Sequence, residues 1–392
     1  MKAYLNALGV ACSLGVGKDA VAEGLFQAAA HGLRPLDGWV PARTLPLGDV
    51  TAVLPAIPPG LEHRDTRNNR LLLLAAQEIE SDLRAAIARF GAARIGVVIG
   101  TSTTGIEEAT RNIAARGTTG TWPEDYRYAD QELGAPAAFL AEWLDIAGPC
   151  YGISTACTSG ARALLSARRL LRLGLCDAVI CGGVDTLCRL ATNGFHALEA
   201  TASERCLPFS HARRGINIGE AAALFLMTRD DAPVALLGGG ASSDAYHMSS
   251  PEPDGRGAAE AMRRALAAAG IDAESIDYVN LHGTATEHND AMESRAVADT
   301  FARPVPCSST KALTGHTLGA AGALEAAFCW LALMDPQRRL PPHAWDGAAD
   351  PALPALAFTI VGDTLSQGRR HLMSNSFAFG GNNASLILEG GA

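Results

Sequence analysis

Lysine is nearly absent from this 392-residue sequence, since only Lys2, Lys18 and Lys311 occur among 32 basic residues. Charged residues make up 19% of the chain, and the formal net charge of −9 gives no general attraction to nucleic acid or anionic lipid. An acidic partner therefore requires a local basic surface. The 48% of hydrophobic residues and the 41 glycines are typical of a compact enzyme and exclude disorder or a coiled coil.

Metal and membrane signatures are also missing. The nine cysteines include no CxxC pair and no Cys/His cluster at zinc spacing, so we expect no metal site, and scattered cysteines favour a reducing cytosol. The apolar run 71–76 ends at Gln77 and Glu78, far short of the roughly 18 residues of a membrane span. We expect a soluble, cytoplasmic protein without a nucleic-acid or membrane partner.

Strand-like and helix-like segments alternate along the chain, as in the strand 95–100 followed by the helix 161–173, and this alternation predicts an α/β fold. An internal repeat indicates duplication, because residues 97–104 resemble residues 279–286. Further counterparts are the helix after Cys157 with residues 319–333 and the strand 178–183 with residues 372–381. The predicted halves are residues 1–235 and 236–392.

The strongest chemical signal is the segment Ser154-Thr155-Ala156-Cys157-Thr158-Ser159-Gly160, between an apolar strand and a helix. Small residues surround one thiol at a helix N-terminus, where unpaired N–H groups and the positive end of the dipole favour thiolate. We predict that Cys157 is a nucleophile. A small buried cysteine, the alternative, suits most of the other eight.

Two histidines and a lysine complete the predicted chemistry. His282 and His316 each lie beside glycine at a strand end or a helix start, which favours a Cys/His/His constellation without a metal. Lys311 precedes His316 by five residues in an otherwise arginine-using chain, so a compact ammonium is expected there. Glu325, in an apolar helix, is its expected charge partner. A purely structural ion pair remains open, and the two roles are compatible.

A glycine-flanked aromatic turn, Asn375-Ser376-Phe377-Ala378-Phe379-Gly380-Gly381-Asn382-Asn383, follows a predicted strand near the C-terminus. It could be an ordinary tight turn. Backbone amides freed by glycine, beside a phenylalanine that can swing, also meet the needs of an oxyanion hole with a gate.

Together these segments strongly resemble the β-ketoacyl-acyl-carrier-protein synthases of the elongating type. The resemblance covers nearly the whole chain and rests on segments 155–160, 282–286, 311–316 and 379–381, with further matches at 182–185, 208–210, 219–220, 243–248 and 319–323. It implies the thiolase-like fold, two pseudo-duplicated halves in a five-layered α-β-α-β-α body. It also implies a dimer, with a homodimer expected and a heterodimer with an inactive chain-length homologue as the alternative.

The resemblance assigns roles to individual residues. Cys157 accepts an acyl group from acyl-carrier protein, and His282 and His316 bind the malonyl thioester carbonyl during decarboxylation, with Lys311 and Glu325 orienting His316. The backbone N–H groups of Cys157 and Phe379 form the oxyanion hole. The resemblance also implies that Phe377, Gly380 and Gly381 belong to the gate. Thr284 and Thr286 would contact the pantetheine arm, and Asp244 and His247 would lie on a loop at the substrate. No cofactor is implied beyond the phosphopantetheine that carries the substrates.

Some positions depart from the family pattern. Arg214 replaces the aspartate of a usual Arg-Asp-Gly, Ala378 replaces the glycine before the gating phenylalanine, and Asn382 replaces threonine. Residues 118–142 also differ from the segment that shapes the acyl pocket in relatives. Fatty acid, polyketide and polyene synthesis therefore all remain open, and the pattern is closer to a specialised synthase of secondary metabolism.

Carrier docking is assigned to a basic flank. Arg64, Arg67 and Arg70 recur every three residues, so on one helix they would share an exposed side. The first two match basic docking positions of the family, and a solvated arginine face is the alternative.

Other classes of enzyme make different sequence demands. A degradative thiolase needs a second catalytic cysteine near Phe379, an initiating synthase has asparagine at the position of His316, and an inactive partner subunit lacks the nucleophile. A nucleotide-dependent oxidoreductase is a remote alternative, because Gly15-Val16-Gly17-Lys18 only nominally matches a dinucleotide-binding loop.

Overall fold

The computed structural model describes residues 2–27 and 32–391, and all structural statements concern these residues. The strands are β1 (Ala3–Cys12), β2 (Gly15–Val16), β3 (Leu33–Val40), β4 (Arg43–Gly48), β5 (Ile95–Gly100), β6 (Cys150–Ile153), β7 (Ala178–Asp185), β8 (Ala221–Thr228), β9 (Ala235–Ser243), β10 (Tyr278–Asn280), β11 (Pro306–Ser308), β12 (Ala357–Phe358), β13 (Arg370–Ala378) and β14 (Asn382–Gly390). The helices are α1 (Lys18–Gln27), α2 (Arg67–Gln77), α3 (Glu80–Phe90), α4 (Ile106–Thr119), α5 (Ala135–Trp143), α6 (Ser159–Arg172), α7 (Arg189–Ala197), α8 (Arg256–Ala269), α9 (Glu287–Thr300), α10 (Lys311–Thr314) and α11 (Ala321–Met334).

The strand pairing repeats between the two halves of the chain. The hydrogen-bonded order is β12-β11-β10-β13-β14-β9-β1-β8-β7-β5-β6. Outward from β1, the successive pairings with β8, β7, β5 and β6 are antiparallel, antiparallel, parallel and parallel. Outward from β9, the successive pairings with β14, β13, β10 and β11 are likewise antiparallel, antiparallel, parallel and parallel. The predicted duplication is therefore confirmed, with β5 matching β10 and β7 matching β13, although the boundary between the halves at residues 235 and 236 stays a prediction.

Five layers arise because the sheet has two parts, which are joined only where β1 pairs with β9, and each part is covered on both faces. Helices α6 and α11 pack between the two parts, α2, α3 and α5 cover the outer face of the part that contains β1, and α8 and α9 cover that of the part that contains β9. The two central helices approach closely, since a Cβ on Gly160 would lie 2.7 Å from the backbone nitrogen of Ala323. This contact places the start of α6, next to Cys157, against the helix that carries Glu325.

The glycine-containing N-terminal segment is a hairpin. Gly15 and Val16 pair back on Cys12 and Ala11 of β1, so the segment does not form the loop between a strand and a crossover helix that a dinucleotide site requires. The oxidoreductase alternative therefore loses its only sequence signal. No helix in the described ranges has the length and apolar character needed to span a bilayer. All nine cysteines are free thiols, and the cytosolic location expected from them stays a prediction.

Candidate active site

A strained turn presents Cys157 between β6 and α6. Ala156 has a φ of 52°, in the left-handed region that L-residues rarely adopt. Side chains of the same turn stabilise it: the Ser159 hydroxyl accepts from the Thr155 N–H at 2.9 Å and donates to the Ala156 carbonyl at 2.6 Å. The Thr158 hydroxyl donates to the Thr155 carbonyl at 2.7 Å. The small polar residues around the cysteine thus fix the direction of its thiol.

The Cys157 thiol contacts one histidine directly. Its Sγ lies 2.9 Å from Nε2 of His316, and both side chains are buried. Burial raises the pKa of the Cys157 thiol to about 12, and the positive charge of Lys311 and the backbone N–H groups of Phe379 and Cys157 lower it only in part. The expectation of a resting thiolate at the helix N-terminus is therefore wrong, because desolvation outweighs the helix dipole.

His316 is neutral and held in place by its backbone. Its N–H donates to the Asn217 carbonyl at 2.6 Å, and its carbonyl accepts from the Gly219 N–H at 2.9 Å. Burial, and secondarily the charge of Lys311, hold the His316 pKa well below its ordinary value. With the imidazole proton on Nδ1, the Nε2 lone pair faces the thiol and can accept its proton.

Lys311 acts directly on the other histidine. Its Nζ forms a buried ion pair with Glu325 and lies 3.3 Å from Nδ1 of His282. The ammonium donates to Nδ1, which leaves the proton of neutral His282 on Nε2. Burial and then Lys311 hold the His282 pKa well below its usual range. The ion pair with Glu325 agrees with the expectation, but the expected orienting contact with His316 is wrong, because Lys311 influences that ring only through its charge.

Two buried carboxylates that the sequence reasoning missed hold the loop after His282. Glu293 accepts the backbone N–H groups of His282 and Gly283 at 2.8 and 2.7 Å. Asp290 accepts those of Thr284 and Ala285 at 3.1 and 3.2 Å. A signal was present, since the two acids lie three residues apart on one face of α9 just after the His-Gly-Thr segment.

The reactive groups form the base of a cavity of about 590 Å³. Ligand atoms of Cys157, His282 and His316 all lie within 4.8 Å of one another. This spacing could also hold one metal ion, so the expectation that no metal is required stays a prediction. Thr284 and Thr286 line the cavity with hydroxyls 2.9 Å apart. Phe377 and Phe379 line it as well.

The predicted gate is tied to a neighbouring loop. Phe379, Gly380 and Gly381 form a 3₁₀ turn in which Gly380 has a φ of 80°, a conformation that favours glycine. The Gly380 N–H donates to the Met248 carbonyl, and the Asp244 N–H donates to the Gly381 carbonyl, both at 2.8 Å. The backbone N–H groups of Phe379 and Cys157 both act on the thiol, the arrangement that an oxyanion hole requires, although that role stays a prediction.

Ala378 is compatible with this position of the gate. Its backbone is extended, with φ −114° and ψ 155°, which any residue adopts. The ring of Phe379 lies 5.6 Å from that of Phe195, centroid to centroid. This conformation of the segment therefore does not require the usual glycine, and the role of Phe379 as a gate stays a prediction.

Asp244 and His247 were expected at the substrate, but neither side chain lines the cavity. The carboxylate of Asp244 accepts from the Asn383 amide at 2.6 Å and from the Glu252 N–H at 3.1 Å, so its oxygens brace the gate loop. His247 is exposed, and its Nδ1 accepts from the Ser249 N–H at 3.2 Å within the same loop. Both residues are occupied by local contacts that the sequence does not reveal.

The three arginines of the predicted basic flank do not share one exposed side of a single helix. Helix α2 begins at Arg67, capped by Thr66, whereas Arg64 ends the preceding 3₁₀ turn. Each arginine already has a carboxylate partner: Arg64 contacts Glu142, Arg70 contacts Asp65, and Arg67 reaches the fully buried Glu220. A role of the three arginines in carrier docking stays a prediction.

A buried thiol beside a neutral imidazole, with a second imidazole polarised by a lysine, is an arrangement that could form a thioester on cysteine and stabilise an enolate. The family model described as "Beta-ketoacyl synthase, N-terminal domain" matches residues 49–232, and "Beta-ketoacyl synthase, C-terminal domain" matches residues 234–344. The "3-oxoacyl-[acyl-carrier-protein] synthase 2" of Coxiella burnetii is 32% identical over 339 residues, which cover 80% of each chain.

Solved structures agree over the full length. The "Ketosynthase (ApeO) in Complex with its Chain Length Factor (ApeC) from Xenorhabdus doucetiae" is 47% identical, with a TM-score of 0.94 and coverage of 100% of this chain and 98% of that one. "The ishigamide ketosynthase/chain length factor" is 27% identical, with a TM-score of 0.85 and coverage of 100% and 99%. The chain belongs to the β-ketoacyl synthase family of condensing enzymes and has the thiolase-like fold.

The raised pKa of Cys157 predicts how its alkylation depends on pH. A thiol with a pKa of about 12 has a thiolate fraction that grows about tenfold per pH unit from pH 6 to 9. We expect the iodoacetamide rate at Cys157 to rise across this range without levelling. Fragmentation of the tryptic peptide by mass spectrometry measures it, because the same peptide also contains the exposed Cys150. A plateau above pH 7 would instead indicate a stable thiolate–imidazolium pair.

Removal of Arg67 should destabilise the fold. Arg67→Gln leaves the carboxylate of Glu220 buried without its cation, which we expect to lower the free energy of unfolding by roughly 2–3 kcal/mol, less than for a fully buried pair because Arg67 is 35% exposed. The double variant Arg67→Gln with Glu220→Gln should recover only part of the loss, because it removes the buried charge but sets an amide NH2 against one of the two backbone N–H groups, of Val50 and Leu187, that Glu220 accepts. Arg70→Gln, which breaks an exposed pair, should cost less than about 1 kcal/mol. Equal denaturation midpoints for all three variants would contradict this assignment.

Proposed function

We propose that the enzyme catalyses the decarboxylative Claisen condensation of an acyl group on Cys157 with malonyl-acyl-carrier protein, giving 3-oxoacyl-acyl-carrier protein. One observation carries the proposal: the Cys157 thiol, His316 and the Lys311-polarised His282 converge at the base of a single cavity. The proposed reaction uses no cofactor apart from the phosphopantetheine of the substrates.

The first half-reaction forms a thioester on the enzyme. As Sγ of Cys157 attacks the acyl carbonyl, its proton passes to Nε2 of His316, 2.9 Å away. The backbone N–H groups of Cys157 and Phe379 stabilise the negative oxygen of the tetrahedral intermediate. Collapse of the intermediate breaks the carbon–sulfur bond to the carrier, and the departing thiolate takes the proton from His316.

The second half-reaction makes the carbon–carbon bond. Malonyl-carrier protein loses carbon dioxide, and the electron pair of the broken bond forms an enolate at the thioester. His282 donates from Nε2 to the enolate oxygen because Lys311 occupies its Nδ1. Neutral His316 donates a second hydrogen bond to the same oxygen when its ring proton is on Nε2 instead of Nδ1. The enolate carbon then attacks the acyl-Cys157 carbonyl, and the tetrahedral intermediate collapses with loss of the cysteine sulfur. That thiolate takes up a proton from solvent, the one proton that the overall reaction consumes.

The pathway is proposed on similarity. The 47% identity over the whole chain to ApeO, a ketosynthase in complex with its chain length factor, favours a specialised ketosynthase over one of primary fatty acid synthesis. The three departures from the elongating pattern, Arg214, Ala378 and Asn382, support the same choice.

Separate assays of the two half-reactions test the roles of the histidines. His282→Ala should lower malonyl decarboxylation by roughly a hundred- to a thousandfold, the usual loss for one oxyanion donor, and acylate Cys157 at a rate nearer to wild type. His316→Ala should slow both steps, because this side chain also receives the thiol proton.

Intact-mass spectrometry measures acylation, and release of labelled carbon dioxide measures decarboxylation. Cys157→Ala should carry no acyl group, and His211→Ala, which alters an exposed histidine outside the cavity, should behave as wild type. Acylation of the Cys157→Ala protein, or normal carbon dioxide release by both cavity variants, would contradict the proposal.

We further propose that the enzyme works as a heterodimer with a homologous chain-length subunit. Strand β6 ends the sheet at one side, and an edge strand offers unpaired N–H and C=O groups to another chain. Apolar side chains are exposed in the segments leading to this edge, and Leu133 lies directly beside Gly152 of β6. The exposed members are Ile113, Trp122, Tyr128 and Leu133. ApeO, the 47% identical neighbour, is in complex with its chain length factor.

The oligomeric state tests this surface. Co-produced with its homologous chain-length subunit, the wild-type enzyme should give a 1:1 complex in native mass spectrometry, and Leu133→Asp should lose it because a carboxylate would be desolvated at the edge. Leu173→Asp, which alters an exposed leucine at the end of α6, is the matched control and should retain the complex. A fully active wild-type homodimer that ignores the homologous subunit would overturn the heterodimer.

A further inference from the structure

Two adjacent arginines at the cavity have different surroundings. The side chain of Arg213 is only 8% exposed, pairs with Asp350 at 2.5 Å and donates to the Ser210 carbonyl at 3.0 Å. Arg214 is exposed, and its side chain donates only to the Arg213 carbonyl, with no carboxylate within 4.0 Å among residues 2–27 and 32–391. Arg213 is thus a structural residue, whereas the Arg214 guanidinium has most of its donors free.

Arg214 is exposed at the cavity that Cys157 also lines. Thr284 and Thr286 line the same cavity, and the adjacent Gly215 N–H donates to the Ala285 carbonyl at 2.9 Å. Gly215 has a φ of 113°, and a Cβ there would lie 2.3 Å from the Ala200 carbonyl oxygen, so this backbone conformation requires glycine. The backbone beside Arg214 is therefore tied to the loop that carries the two threonines, and the guanidinium extends from it at the same cavity.

Without the Arg214 guanidinium, the mouth of the cavity would not attract an anion. Glu199 and Glu287, both exposed, line it together with Arg214 and the exposed His288. Because the whole chain is also acidic at −9, general electrostatic attraction is absent and an anion has to be bound by specific donors. A planar guanidinium with several free N–H groups is suited to phosphate oxygens.

We propose that Arg214, with His288 lining the same cavity, binds the phosphodiester of the pantetheine arm. The inference rests on the proposed function, in which the thioester end of the arm reaches Cys157 and the phosphate end stays near the surface. The effect of Arg214 is to hold the outer end of the arm while the thioester reacts.

Two small substrates that differ only in the phosphate test the proposal. Wild-type enzyme should use malonyl-4′-phosphopantetheine about tenfold better in kcat/KM than malonyl-pantetheine, the order expected for one exposed charge-assisted contact. In Arg214→Ala this ratio should fall to about one, and in Arg214→Lys it should be intermediate. Because the ratio is taken within each variant, a general loss of stability does not alter it. Arg295→Ala, an exposed arginine outside the cavity, should keep the wild-type ratio.

Other outcomes overturn the site. A wild-type ratio of one, or the same ratio in Arg214→Ala as in wild type, would show that Arg214 does not bind the phosphate. If the variant impaired only substrates on the whole carrier protein, Arg214 would contact the protein surface of the carrier and the phosphate assignment would be wrong. Failure of the proposed function is distinguishable, since wild-type enzyme would then release no carbon dioxide from either small substrate.

Discussion

The buried ion pair between Lys311 and Glu325 is the interaction on which the rest of the site depends. An ammonium in the interior needs a carboxylate nearby, and Glu325 comes from α11 in the central helical layer. The same ammonium donates to Nδ1 of His282 and helps to lower the pKa of both imidazoles. Lys311, Glu325 and both histidines all belong to the C-terminal half of the chain, whereas Cys157 belongs to the N-terminal half. Stacking of the two halves is therefore what brings the thiol against His316.

Desolvation determines the resting protonation of the nucleophile. Cys157 is a thiol and His316 is a neutral base, since the cavity base disfavours a separated thiolate and imidazolium. The proton can move when an acyl carbonyl arrives and negative charge passes to an oxygen facing two backbone N–H groups. The reactive state is thus reached together with the substrate, which limits side reactions of an unoccupied site.

The charged residues of the predicted functional regions divide into those with charged or polar side-chain partners and those without. The Asp244 carboxylate accepts from Asn383, Arg67 pairs with the buried Glu220, and Arg213 pairs with Asp350; in each case the partner comes from a distant part of the chain. Arg214 donates only to the Arg213 carbonyl and keeps most of its donors free at the cavity. A paired charge stabilises the fold, whereas an unpaired charge beside a cavity is available to a ligand.

The sequence by itself predicted the alternating elements, the duplication, the turn at Cys157 and the pairing of Lys311 with Glu325, because these depend on local pattern and on the cost of burying a charge. It did not predict that Lys311 contacts His282 and not His316, that the thiol stays protonated, or that Asp290 and Glu293 hold the His282 loop. Those features depend on distances between residues far apart in the chain and on how completely water is excluded. Tertiary structure alone sets both.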